Sequence, residues 1–168
     1  PRTMKKKHRL RRTPPGTAPG MFVIPEGAAA PVITACSCGE DFFREASPPG
    51  IKELEEFLAA NAGRLHWIDV QGIGSRELIE WFGQHFGIHP LVLADVVNTG
   101  QRPKAEEYDR YFFLVSRMLH FGGDGALLND QVSVFHLLHL QVCAQLFYSF
   151  LMIDLTPPHL QLNNIFMV

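Results

Sequence analysis

Three groups of side chains have types and spacings that invite chemistry. His85 and His89 stand four apart, as two metal ligands on one helical turn would. Gly87 and Pro90 interrupt a helix there, so the spacing predicts structural or surface roles instead. Cys36-Ser-Cys38 offers two thiols with no second Cys/His pair at metal-site spacing, which favours ordinary strand cysteines. Gly72-Ile73-Gly74 follows an apolar run and precedes a helical pattern, the setting of a dinucleotide fingerprint. Glu77 holds the third glycine position, and its carboxylate would repel a phosphate. No serine lies in a nucleophile-elbow context. Of the paired carboxylates Glu40-Asp41, Glu55-Glu56 and Glu106-Glu107, two read as solvated faces. The residues therefore give no signature of an enzyme.

The chain has 168 residues, with 46% hydrophobic and 19% charged, enough apolar mass for a core. Its charge is lopsided. Seven of the fifteen Lys/Arg lie in the first 20 residues with no acid among them, leaving eight bases against seventeen acids in the rest. An acidic body does not suit nucleic acid and does suit cations. Three cysteines make no even disulfide framework.

The elements that must hold these residues read as α/β. Residues 1–20 are basic, then rich in Pro and Gly, and read as a disordered, solvated leader. Met21–Ile24 and Val32–Cys36 are β-type runs. Ile51–Asn61 is helical by its apolar spacing, and Gly63 stops it. Leu65–Val70 is a strand. Ser75 caps a helix running through Phe86, ended by Gly87, and Pro90 opens a helix to Val97. Asn98–Glu107 is polar with Pro103 and reads as a loop. Tyr108–Leu119 contains a consecutive apolar run and reads as a strand buried on both faces. Trp67, Phe112, Phe113 and Val115 are assigned to the core. Gly122–Gly125 turns the chain, and Gln131–Phe135 returns as a hairpin strand. Leu137–Ile153 has 13 apolar residues in 17, short of a membrane span and broken by polar residues.

Between Trp67 and Met118 four blocks follow one another: Trp67-Ile-Asp-Val-Gln-Gly72, Phe86-Gly-Ile-His-Pro-Leu-Val-Leu-Ala-Asp-Val-Val-Asn98, Gln101-Arg-Pro-Lys-Ala-Glu-Glu-Tyr-Asp109, and Phe112-Phe-Leu-Val115. Their order and spacing resemble the cytoplasmic N-terminal domain of CorA-like magnesium/cobalt transporters. Gln131–Phe135 resembles the family's next strand. The resemblance implies an α/β/α sandwich with a mixed β-sheet, here truncated. It divides the chain into the leader 1–20, a CorA-like body 21–136, and an apolar tail 137–168 without a family counterpart.

The family continues into a stalk helix and two membrane helices joined by Gly-Met-Asn, a tripeptide absent from this sequence. The chain as written then cannot conduct ions. The tail reads as a truncation or a shifted frame. The resemblance further implies a pentamer at the cytoplasmic face of the inner membrane, attached only through those missing helices. It implies no enzymatic activity. It implies a regulatory Mg²⁺ site between subunits, with Co²⁺, Ni²⁺ or Zn²⁺ as alternatives. The matching acid is Asp95; the acid many relatives carry just before it is here Ala94. The residues' own alternative for Asp95 is an ordinary ion pair with Arg102 or Lys104. A ZntB-type zinc transporter domain and a free-standing binding module are the rival expectations.

Overall fold

Cross-strand pairing builds the sheet, and the three described helices cover one face of it. The computed structural model describes residues 20–123, 125–137 and 140–145. The strands are β1 (Val32–Gly39), β2 (Phe42–Ala46), β3 (Leu65–Gln71), β4 (Lys104–Glu107), β5 (Tyr111–Phe121), β6 (Leu127–Leu137) and β7 (Leu140–Gln145). The helices are α1 (Ile51–Ala60), α2 (Arg76–Phe86) and α3 (Pro90–Val97). The strand order is β2-β1-β3-β7-β6-β5-β4. Two antiparallel three-stranded groups, β2-β1-β3 and β6-β5-β4, are joined by β7, which runs parallel to β3 and antiparallel to β6. The expected mixed α/β architecture is therefore present.

Helix ends follow the local signals. Ser75 accepts a hydrogen bond from the Leu78 N–H at 3.1 Å, satisfying one of the unpaired donors of the first turn of α2. Gly87 ends α2 in the left-handed region (φ 67°). Pro90 occupies the first turn of α3, where its missing N–H costs nothing. Asn61, rather than Gly63, caps α1, and its side-chain amide donates to the Phe57 carbonyl at 2.7 Å.

The core lies on one face of the sheet. Ile33 and Ala35 of β1, Ile68 and Val70 of β3, and Phe113 and Val115 of β5 meet Leu54 and Phe57 of α1 and the buried stripes of α2 and α3 in one cluster. All three described helices join this cluster, so the described residues supply one helical layer. On the far face lie Cys36, Trp67, Asp69, Phe112, Leu114 and Val134, placed there by register. None of these belongs to the cluster.

Several expectations need correction. Phe112 is 41% exposed and Trp67 is half-buried on the far face, so neither is core, whereas Phe113 and Val115 are fully buried. The apolar run in β5 is thus buried on one face only. Met21–Ile24 is not a strand, although Phe22 is buried and its carbonyl accepts from Arg76. Lys104–Glu107 is a strand rather than loop, because it pairs with Phe112–Val115 of β5. β2 forms a hairpin with β1 that the sequence pattern did not announce. Residues 140–145, read as part of a divergent tail, form the strand at the centre of the sheet. The leader through residue 19 and the tail from 146 onward lie outside the described residues.

Candidate functional site

Asp95 sits on α3, two residues from its C-terminal end, with its side chain one quarter exposed. Its carboxylate accepts from the Lys104 ammonium at 2.6 Å and from the Gln101 side-chain amide. The same ammonium donates to Glu106 at 2.9 Å. Tyr108 donates its hydroxyl to the other oxygen of Glu106 at 3.0 Å. The result is a chain of polar contacts, Gln101–Asp95–Lys104–Glu106–Tyr108, at the helix-side rim of the sheet.

The members come from α3, from β4 and from the chain on either side of β4. The α3 turn sets Asp95. Alternation along β4 puts Lys104 and Glu106 on one face, opposite Val115 and Phe113 of β5. The fully buried side chain of Phe113 lies under the ammonium, 5.3 Å from ring centre to Nζ. Gln131 of β6, 2% exposed, ties the site to the sheet. Its amide donates to the Asp95 carbonyl at 3.1 Å, and its carbonyl oxygen accepts from the Gln101 N–H at 3.2 Å.

The electrostatics follow from this geometry. Burial alone would lower the Lys104 pKa, but hydrogen bonds and charge from Asp95 and Glu106 outweigh it and raise the value. The Lys104 ammonium, aided by the Tyr108 hydroxyl, holds Glu106 below the usual carboxylate range. Burial and the Glu106 acceptor push Tyr108 up. Two carboxylates share one ammonium, so the trio Asp95–Lys104–Glu106 carries a net negative charge.

The other sequence candidates resolve into structural roles. His89 caps α3, its Nδ1 accepting from the Leu91 N–H at 3.2 Å. His85 stacks on Trp81 with ring centres 4.5 Å apart. The two histidines share no site. Gly72 and Gly74 serve close packing: a Cβ at Gly72 (φ 98°) would lie 2.7 Å from the Ala30 carbonyl oxygen, and one at Gly74 2.5 Å from that of Ala29. The Gly74 N–H donates to the Ala29 carbonyl at 2.8 Å, so the backbone of 28–30 packs directly against this turn. Burial, with Glu45, Cys38 and Asp69 nearby, raises the Cys36 thiol and opposes the thiolate a metal would require. Ser37 and His66 oppose each other in register, but Ser37 is wholly shut off from solvent and its Oγ has no hydrogen-bond partner. Burial lowers the His66 pKa.

Among the described residues, no group of three or more His, Cys, Asp or Glu side chains converges to hold a metal ion. A surface groove of about 300 Å³ is lined by Arg44, Glu53, Glu56, Phe57 and Asn61. Its charged side chains are exposed. No described helix is long and apolar enough to cross a membrane.

Sequence reasoning found Asp95 and noticed Lys104, but missed Glu106, Gln101 and Gln131 as its surroundings. The i, i+2 spacing of Lys104 and Glu106 was the available signal. It is usable only once that stretch is known to be a strand.

Comparison with known proteins bears on the same region. The family model described as CorA-like Mg²⁺ transporter protein matches residues 62–136. The cobalt/magnesium transport protein CorA of Thermotoga maritima is 34% identical over 105 residues, 56% of this chain and 30% of that protein. The chain therefore spans less than a third of that relative. The complete structure of the CorA magnesium transporter from Methanocaldococcus jannaschii aligns with a TM-score of 0.50 at 14% identity, covering 70% of this chain and 33% of that one. The soluble domain of CorA from the same organism gives 0.46 at 16% identity, over 74% and 41% of the two chains. Residues 62–136, with Asp95, Lys104 and Glu106 among them, are thus a CorA-like segment, and the resemblance read from the sequence holds.

Proposed function

We propose that this chain is the cytoplasmic ion-sensing body of a CorA-like Mg²⁺/Co²⁺ transporter, with Asp95 as the residue that answers to the ion. The single supporting observation is the 62–136 family match, in which Asp95 is partly exposed at a negatively charged rim. In this reading the CorA-like body spans 21–136, with β7 completing its sheet, and assembles as a ring of identical subunits. The pore belongs to membrane helices elsewhere in the parent protein.

The physics asks little of each subunit. Mg²⁺ favours carboxylate and water oxygens and sheds water reluctantly, so one acid from each side of a boundary is a sufficient protein contribution. An ion that binds the closed assembly better shifts the population by that difference in affinity and no more. Co²⁺, Ni²⁺ or Zn²⁺ would use the same carboxylate. The test is a Mg²⁺ titration of the chain, wild type against Asp95→Ala, following heat of binding and assembly size. Loss of the response in the variant supports the reading. Identical responses overturn it.

One observation favours a second reading, a free-standing binding or assembly module. β7 takes the central place in the sheet, so residues beyond the family match contribute to the fold. A soluble, monomeric, ion-indifferent chain would favour this module over the sensor.

A further inference from the structure

We infer that Lys104 is a tethered counter-ion that competes with a divalent cation for Asp95, and so sets the concentration at which the site responds. This rests on the reading of Asp95 as the ion-answering residue. The ammonium lies 2.6 Å from Asp95 and 2.9 Å from Glu106, bridging the two acids. Lys104 thereby supplies the positive charge that these carboxylates would otherwise draw from solution. A single ammonium leaves the trio short of neutral by one charge. A divalent ion in its place would balance both carboxylates.

The arrangement is built to let go. Both partners of the Lys104–Asp95 pair are one quarter exposed, and Glu106 is more exposed still. Water reaches all three side chains and competes for their charges. Lysine is a compact, strongly hydrated charge on a flexible stem, so the ammonium can swing out and be rehydrated without disturbing β4. Gln101 and the Gln131 contact to the α3 backbone keep Asp95 in place while the lysine leaves. Ammonium and divalent ion thus bind the same carboxylate in exclusive states, and each weakens the other by the same factor.

The experiment is isothermal titration of MgCl₂, and separately CoCl₂, into the 168-residue chain and its Lys104→Gln, Lys104→Arg and Lys104→Gln/Asp95→Ala variants. Thermal melts run in parallel establish that each variant is folded, and Lys104→Met, which keeps the stem over Phe113, replaces Lys104→Gln if the latter is not. The expected result is affinity tightened about fivefold or more in Lys104→Gln, within the usual range of coupling between exclusive sites. Lys104→Arg stays near wild type, and the gain vanishes in the double variant. An unchanged affinity in Lys104→Gln, with the wild type still binding through Asp95, overturns the competition while leaving the sensor reading intact. A gain that survives Asp95→Ala places the ion elsewhere and overturns the inference. No binding in any variant defeats the inference and the sensor reading together.

Discussion

Phe112 and Phe113 are neighbours of the same type on the same strand, yet they live on different faces. Phe113 is fully buried beneath the helices, stacked on Phe135 with ring centres 4.8 Å apart. Phe112 is 41% exposed on the far face, opposite His136. The whole sheet repeats that division. One side is a closed cluster fed by the three described helices; the other carries Trp67, Leu114 and Val134 outside that cluster. Strand period decides which side a residue joins, and only helix placement decides whether that side becomes a core.

Truncating the two phenylalanines gives the sharpest reading of the difference. Phe113→Ala should cost about 3–5 kcal/mol, as large core truncations do. Phe112→Ala should cost less than about 1 kcal/mol, in the range of surface changes. Urea unfolding of both measures the gap. Equal losses would mean that the far face is as well covered as the near one.

Gln131→Leu tests how the helix-covered side closes around its few polar groups. It leaves the Gln101 N–H and the Asp95 carbonyl without their partner, and should cost about 1–3 kcal/mol. A neutral result in the same urea series would show that water reaches this rim.

The smallest expected effect belongs to Asp69 on the far face. Partial burial raises its pKa, against the opposing hydrogen bond from Gln71 at 3.0 Å. The folded state then holds the proton more tightly than the unfolded chain. Stability falls as pH rises through this range, and the loss is complete above the raised value. Asp69→Asn should therefore be the more stable protein at pH 7, with its advantage gone at pH 3, below the ordinary aspartate range. Denaturant midpoints at the two pH values check this. A variant weaker than wild type at pH 7 would reveal a far-face partner that needs the carboxylate.

Legibility in the sequence tracked how local each signal was. Ser75, Gly87 and Pro90 fix α2 and α3 through their own backbone demands, and those helices were readable to within a residue. β4 was not, because Lys-Ala-Glu-Glu has no apolar alternation and becomes a strand through its pairing with β5. Phe112 to Val115 reads as uniformly apolar, and no pattern within it tells which face a helix will cover. The site divides in the same way. Asp95 stands out within its sequence block, but Glu106 is joined to it only through Lys104 on a paired strand, and Gln131 only across a separation of 36 residues.

The place of β7 has a consequence for how the chain comes together. His66 pairs with Leu140, so the middle of the sheet joins segments 74 positions apart. Contacts this distant are slow to form, since the intervening chain must be ordered first. On the ribosome, β2-β1-β3 and β6-β5-β4 would emerge as two half-built blocks, each with an unzipped border. Only the late arrival of residues 140–145 would weld them, and until then both borders are open to pairing with foreign strands.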